Sequence, residues 1–411
     1  MSKKVTSLYI CPWSLQDSLT QSQSLPYLKG LTNEGYKFAL MTFENPAYRS
    51  ESATEKRIKK DLVEQGIFWF PVRYRKGTSI FNKLYENASG FLTGLMILRK
   101  HRPAFIHSRS SLPSGIAAVL SKVFKLKFLY DADSMLSEEY ADIGHWAREG
   151  KAYKLMSQTE SFARRNATEM IVLTETLRDD LRRDYNVKIP IEVIPCCVDM
   201  EKFGFSREGR SRRRGELGLT DEKLLTYVGK VGSWYLVEET FDFFKAFHQA
   251  HPASRLLIVS RDDPEVFHRI AANRGISPDS YFVRSASHAE VAEWLSASDV
   301  GLCLIKQARS KRGSSPVKFA EYLSVGLPIV STDGIGDCTR VIEKDNVGVI
   351  LKKTGAADFA SAVEQLLDLC AESREELSRR CRETAEKEFS LESVGGERYR
   401  KIYKRLSAVH R

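Results

Sequence analysis

The stretch RSKRGSSPVKFAEYLSVGLPIVST, Arg309 to Thr332, decides how the rest of the chain is read. Ser315 has the short polar side chain of a helix N-cap, and Pro316 suits the first helical position, where its missing N–H is no loss. Gly326 supplies a left-handed stop, Pro328 forbids resumption, and Ile329–Ser331 read as the next strand. The spacing therefore predicts a short helix from Pro316 to Val325. Its charges oppose its dipole: Lys318 falls in the first turn, and Arg309, Lys311 and Arg312 crowd the loop before it. A cation in that place costs roughly 0.3–1 kcal/mol. A bound anion would remove the conflict, because backbone N–H groups, dipole and cations would then face one negative group. Glu321 lies one turn beyond Lys318 on the same side. A cation for phosphate and a carboxylate for two vicinal hydroxyls suit the diphosphate and ribose of a nucleotide. A capped helix with solvated cations at one end fits the same spacing.

The segment SSPVKFAEYLSVGLPIV resembles the donor-site segment of GT-B glycosyltransferases, particularly the retaining family four, in an S-P-x-K-x-x-E-Y-L form. The resemblance implies that Glu321 holds the donor ribose; Ser314, Ser315 and Lys318, at the cationic helix start, are the candidate contacts to the donor diphosphate, Lys318 substituting for a family cation that has no match in this chain. The better-known family pattern has a second Glu eight residues before the first. Gly313 stands there in this chain, so that carboxylate's task near the transferred sugar is done otherwise or not at all.

At 411 residues the chain is too long for one ordinary core, and two domains are expected. Its 42% hydrophobic and 28% charged residues are ordinary for a globular protein. The start, MSKKVTSLYI, lacks the apolar core of a signal peptide. No apolar run approaches the roughly 18 residues of a membrane span. Seven scattered cysteines make neither a disulfide ladder nor a C-x-x-C pair, which fits a reducing cytoplasm. The net charge of +10 and pI near 9.1 ask for a partner of opposite sign: nucleic acid, anionic lipid or nucleotide phosphates. Lys56-Arg57-Ile58-Lys59-Lys60, Arg73-Tyr74-Arg75-Lys76 and Arg207–Arg214 carry much of that charge. Such runs are solvated faces or a peripheral contact with an anionic membrane.

Short apolar runs alternate with helical patterns. Seven precede Pro195: Ser7–Ile10, Tyr36–Thr42, Ile67–Val72, Ala104–His107, Lys127–Tyr130, Met170–Leu173 and Glu192–Ile194. Six follow it: Leu224–Val228, Arg255–Val259, Tyr281–Arg284, Val300–Leu304, Ile329–Ser331 and Val347–Ile350. Runs of this kind suit buried parallel strands. The fold class is α/β, two facing doubly wound Rossmann-like domains with a deep interdomain cleft, where such sheets bind ligands. The expected division is 1–199 with 391–411, a linker over 200–215, and 216–390. IVLTETLRDDLRRDYNV, IEVIPCCVDMEKF and LLTYVGKVGSWY extend the resemblance. The family also implies a last helix, Leu391–Leu406, that returns to the first domain.

Gly229-Lys230-Val231-Gly232-Ser233 follows a strand and precedes a helix. Its glycines let backbone approach a ligand, and Lys230 points at phosphate on the family pattern; a plain strand–loop–helix turn is the alternative. Where many relatives carry paired glycines, this chain has Gln21 and Gln23, either donors to the acceptor or parts of a capped helix. His107-Ser108-Arg109 and Asp131-Ala132-Asp133 end neighbouring strands. Asp131 is a candidate catalytic carboxylate and Arg109 a sugar contact, with an Arg109–Asp131 ion pair as the structural alternative. Asp-x-Asp alone does not make a metal site, and no metal is expected. His145, near Glu138 and Glu139, is a further candidate contact. Glu160 reads as structural, Trp234 and Tyr235 as sugar-stacking or core, and His288 and Ser285 fall where the family grips the base.

The resemblance implies a retaining, metal-independent hexosyltransferase that takes a UDP- or GDP-linked sugar to a hydroxyl of a glycan or lipid-linked acceptor, with Lys318 and Lys230 meeting the leaving diphosphate. It would be cytoplasmic, with a possible peripheral contact at an anionic membrane, in polysaccharide or glycolipid assembly. An epimerase or hydrolase would share the donor site but release free nucleotide without an acceptor. A non-catalytic sensor would bind donor without turnover. No nucleic-acid partner is expected, since no recognition helix or stacking sheet accompanies the charge.

Overall fold

The computed structural model describes residues 6–45, 52–73, 80–232 and 234–408. Their elements run β1 (Ser7–Cys11), α1 (Ser18–Gln23), α2 (Leu25–Asn33), β2 (Phe38–Glu44), α3 (Ser52–Glu64), β3 (Ile67–Arg73), α4 (Ile80–His101), β4 (Phe105–Arg109), α5 (Ser111–Phe124), β5 (Lys127–Ala132), α6 (Leu136–Asp142), α7 (Lys151–Asn166), β6 (Glu169–Val172), α8 (Glu175–Tyr185) and β7 (Ile191–Val193). There follow α9 (Arg207–Glu216), β8 (Lys223–Val228), α10 (Val237–Ala250), β9 (Ser254–Val259), α11 (Pro264–Asn273), β10 (Tyr281–Arg284), α12 (His288–Ala297), β11 (Val300–Cys303), α13 (Val317–Val325), β12 (Ile329–Thr332), α14 (Cys338–Asp345), β13 (Gly348–Leu351), α15 (Ala356–Leu369), α16 (Arg374–Phe389) and α17 (Glu397–Ser407). The chain forms two compact units, Met1–Pro195 with Gly395–Arg411, and Cys196–Val394.

Each unit is built on one parallel sheet. The first has the order β3-β2-β1-β4-β5-β6-β7, the second β10-β9-β8-β11-β12-β13. Strands such as β1 (SLYIC) and β11 (VGLC) are buried along their whole length, as parallel strands covered on both faces must be. All the expected strands are present, shifted by a residue or two at their ends. In each sheet the order reverses at one place, between β1 and β4 and between β8 and β11, which is where open parallel sheets hold their ligands, beyond the carboxyl ends of the strands.

The helices differ more. The stretch from Ser18 to Asn33 holds two helices, because Asp17 caps α1 by accepting from the Leu19 N–H and Ser24 leaves helical geometry just before Pro26. Arg207–Arg214, expected as a linker, is helix α9, capped by the Ser206 hydroxyl accepting from Gly209 N–H. Its arginines are cement: Arg210 and Arg214 pair with Asp299, and Arg212 and Arg213 with Glu293. The terminal pattern Leu391–Leu406 is a π-helical turn, Leu391–Gly396, followed by α17. Helix α17 packs in the first unit, where Tyr403 and Tyr399 are buried and Arg405 pairs with Glu169.

Candidate functional site

In the second unit the carboxyl ends of the neighbouring strands β8 and β11 lead into two loops, 229–236 and 304–316. The second loop ends in α13. Ser315 is not its N-cap. Pro316 holds that position, and the Ser315 hydroxyl instead accepts the Cys196 N–H at 3.1 Å, because a proline at the boundary already fixes the chain's entry. The far end is as the sequence implies: Gly326 is left-handed, φ 90°, and a Cβ there would meet the Ser378 hydroxyl.

Lys318, in the first turn, is 7% exposed, and its amine has no hydrogen-bond partner. The Nζ lies 3.7 Å from the ring centre of Tyr235 and 4.4 Å from that of Tyr227. Burial drives its pKa down to about 8, against the opposing influence of Cys303 and Glu321. Aromatic faces soften the desolvation of an ammonium but cannot replace its hydrogen bonds. Gly229, at φ 151°, passes so close that a Cβ on it would lie 2.7 Å from this Nζ. One turn on, Glu321 is also 7% exposed, and its Oε1 lies 3.6 Å from His288 Nε2. That contact raises the His288 pKa, while burial and the charges of Arg261 and Lys202 oppose it. Lys311 lies over Trp234, its Nζ 3.8 Å from the ring centre.

Gly229, Lys318 and Glu321 thus come together. Lys230 is exposed, and its carbonyl accepts the Tyr227 hydroxyl at 2.9 Å. Gly232 is exposed, Ser314 partly so, and Ser233 lies outside the described residues. Glu321's engagement by His288 and the tyrosine cradle under Lys318 were not foreseen. The only hint was the aromatic residues flanking the glycine loop.

In the first unit the structural alternative for the Asp-x-Asp stretch holds. Asp131 is fully buried, accepts Arg109 Nη1 at 2.8 Å and Tyr399 Oη at 3.0 Å, and lies 3.8 Å from His107 Nε2. Burial would push its carboxyl up, yet Arg109, His107 and Tyr399 hold it below the ordinary aspartate value. This carboxylate is enclosed and held by partners within the first unit. Arg109, 5% exposed, is likewise committed to Asp131. Asp133 is the poised member of the pair, pushed up to about 7 by burial against the pull of Arg109. Gln23 is buried, Gln21 donates its side-chain amide to the Leu15 carbonyl at 2.7 Å, and His145 is an exposed surface residue. Glu160 is structural, accepting from Ser111 and from both the backbone and hydroxyl of Ser137.

Two parallel α/β units, with a buried cation and a carboxylate beside a glycine loop at a strand-order reversal, define a protein of the two-domain, doubly wound α/β class. The two halves match two family models in order, Glycosyltransferase Family 4 over residues 27–202 and Glycosyl transferases group 1 over 210–388. The chain is a family-four-like glycosyltransferase of the GT-B fold. It is 23% identical over 303 residues, 71% of each chain, to the alpha-D-kanosaminyltransferase of Streptomyces kanamyceticus. Its fold is shared with the sucrose-phosphate synthase of Thermosynechococcus elongatus (TM-score 0.72, 16% identity, covering 98% of this chain and 100% of that one). It is shared also with Anabaena Alr3699/HepE solved in complex with UDP (TM-score 0.70, 12% identity, 97% and 100% covered).

Proposed function

We propose that this glycosyltransferase is retaining, needs no metal, and moves a hexose from a UDP- or GDP-linked donor to a hydroxyl of a glycan or lipid-linked acceptor in cytoplasmic polysaccharide or glycolipid assembly. The observation that carries this reading is the unpartnered, buried Lys318 amine at the start of α13. A protein keeps such a cation dry only where something supplies the missing negative charge, and a diphosphate also satisfies the helix start. HepE, a structural neighbour, is described with UDP.

In the reaction the bond from the sugar's anomeric carbon to the phosphate oxygen breaks, and its electron pair leaves with the diphosphate. The acceptor oxygen bonds the same carbon on the same face and gives its proton to the departing phosphate. Lys318 and Lys230 meet the charge that grows on the diphosphate, the task in which fixed charges contribute most. Glu321 accepts from the ribose hydroxyls, exchanging His288 for them. The first unit takes the acceptor.

The test is thermal stabilisation by UDP, GDP and their sugars, measured on the wild type, Lys318→Ala and Glu321→Ala. Both variants should lose the ligand-induced shift while remaining folded. An undiminished shift in both would place the nucleotide elsewhere.

A further inference from the structure

The two strands at the order reversal of the second sheet diverge early. β8 keeps register with β9 as far as Val228–Val259, and β11 with β12 as far as Cys303–Ser331. Between themselves β8 and β11 pair only at Leu225–Val300 and Thr226–Gly301. The next bond of a parallel ladder would join the Val228 N–H to the Leu302 carbonyl. A side chain stands in its place. The Tyr322 hydroxyl accepts the Val228 N–H at 2.9 Å and donates to the Leu302 carbonyl at 3.4 Å. Its ring reaches this point across Gly301, where a Cβ would lie 2.7 Å from Tyr322 Cγ. Tyr322 is fully buried, so its hydroxyl satisfies two backbone groups that would otherwise be left without partners away from water.

The Lys318 amine sits in the gap so made. Lys318 and Tyr322 are one turn apart on α13 and share a face. Beyond Val228 the chain passes through the glycine loop and returns beside the continuation of β11. There Tyr235 bridges Ile305 in antiparallel fashion, the Leu236 N–H meets the Leu304 carbonyl at 3.1 Å, and the Lys306 N–H meets the Trp234 carbonyl at 2.8 Å. Tyr227 thus stands on the β8 side of the gap and Tyr235 on the β11 side. Their ring centres are 6.3 Å apart, edge to face, with the amine against both rings. Drawing the two strand ends together by one ladder bond would close the rings on each other and push the amine out.

We propose that Tyr322 is a positioning residue for the donor: its hydroxyl wedges the carboxyl ends of β8 and β11 apart and holds open the slot of Lys318, an assignment that rests on Lys318 being the diphosphate contact. Tyr322 acts through Lys318 and the Gly229 turn and touches no ligand itself. Tyr322→Phe keeps the ring on Gly301 and removes only the wedge. The Val228 N–H and the Leu302 carbonyl, buried and now without partners, then bond to each other and close the slot. The other groups that act on the amine's charge, Cys303 on β11 and Glu321 on α13, both favour the protonated form and are left in place.

UDP and GDP are titrated calorimetrically into the purified full chain across the alkaline range. The wild type should bind one of them with an affinity that falls as pH rises past about 8, where the free Lys318 amine loses its proton. Tyr322→Phe should weaken that binding by about tenfold or more at pH 7. Its fall with pH should begin about one unit or more higher, because an amine expelled to solvent titrates nearer its ordinary value. Gly301→Ala, which drives the ring out of the same gap, should act likewise. Tyr281→Phe removes a buried hydroxyl bonded to His268 elsewhere in the unit and should keep the wild-type affinity and pH profile. If Tyr322→Phe and Gly301→Ala, shown by circular dichroism to be folded, bind as the wild type does or keep its pH profile, the wedge is overturned. Loss of binding in Lys318→Met would then leave the diphosphate contact standing without it. If neither nucleotide binds the wild type, or Lys318→Met binds as the wild type does, the diphosphate contact itself is overturned and the wedge with it.

Discussion

Replacing Lys318 by Met should make the empty protein more stable and deprive it of its nucleotide. Folding lowers this amine's pKa from 10.5 to about 8, chiefly through burial. At 1.36 kcal/mol per pH unit, the charged amine costs the native state roughly 3 kcal/mol. The Tyr227 and Tyr235 faces return about 1–2 kcal/mol of that, which leaves a net cost near 1–2 kcal/mol. Met has a similar length and no charge, so Lys318→Met should raise the melting temperature by about 5 °C. The pH dependence separates this cause from better packing. Below pH 8 the amine is protonated in both folded and unfolded chains, and the cost is present in full. Between about pH 8 and 10.5 only the unfolded chain keeps the proton, so native stability rises with pH as the cost disappears. The advantage of Lys318→Met, measured by calorimetry or circular dichroism, should therefore be large at pH 7 and small at pH 10. A nucleoside diphosphate should stabilise the wild type and leave the variant unmoved. A destabilised variant, or an advantage equal at both pH values, would refute the reasoning.

Gly229→Ala places a methyl group against the Lys318 amine at a φ of 151°. It should cost about 1–3 kcal/mol of stability and weaken donor binding at least about tenfold, read by titration calorimetry. Glu321 raises the His288 pKa, so their contact is present at low pH and lost as pH rises through the raised histidine pKa. A UDP-sugar, which must displace that contact, should bind about two- to fivefold more tightly at pH 8 than at pH 6, and His288→Ala should abolish the difference. Arg109→Ala leaves Asp131 charged and buried, and chemical denaturation should show a loss of about 3–5 kcal/mol. Asp131→Asn in the same background should restore part of it.

What the sequence determined by itself was local. A buried parallel strand is an apolar run, a left-handed helix end needs glycine, and an anion-binding helix start carries cations it would otherwise avoid. Hence the strands, the Gly326 stop and the pairing of Lys318 with Glu321 on one helix face were legible before any coordinates. The tertiary structure decided which groups remain free for a ligand, because hydrogen bonds and desolvation depend on partners distant in sequence. Ser315 gives its oxygen to Cys196, Asp131 is occupied by Arg109 and by Tyr399 from the last helix, and the α9 arginines are spent on Asp299 and Glu293. Lys318 has the opposite fate. Two tyrosines and a glycine brought in from β8 and the loop after it enclose the amine without bonding it, which no reading of the helix alone could show.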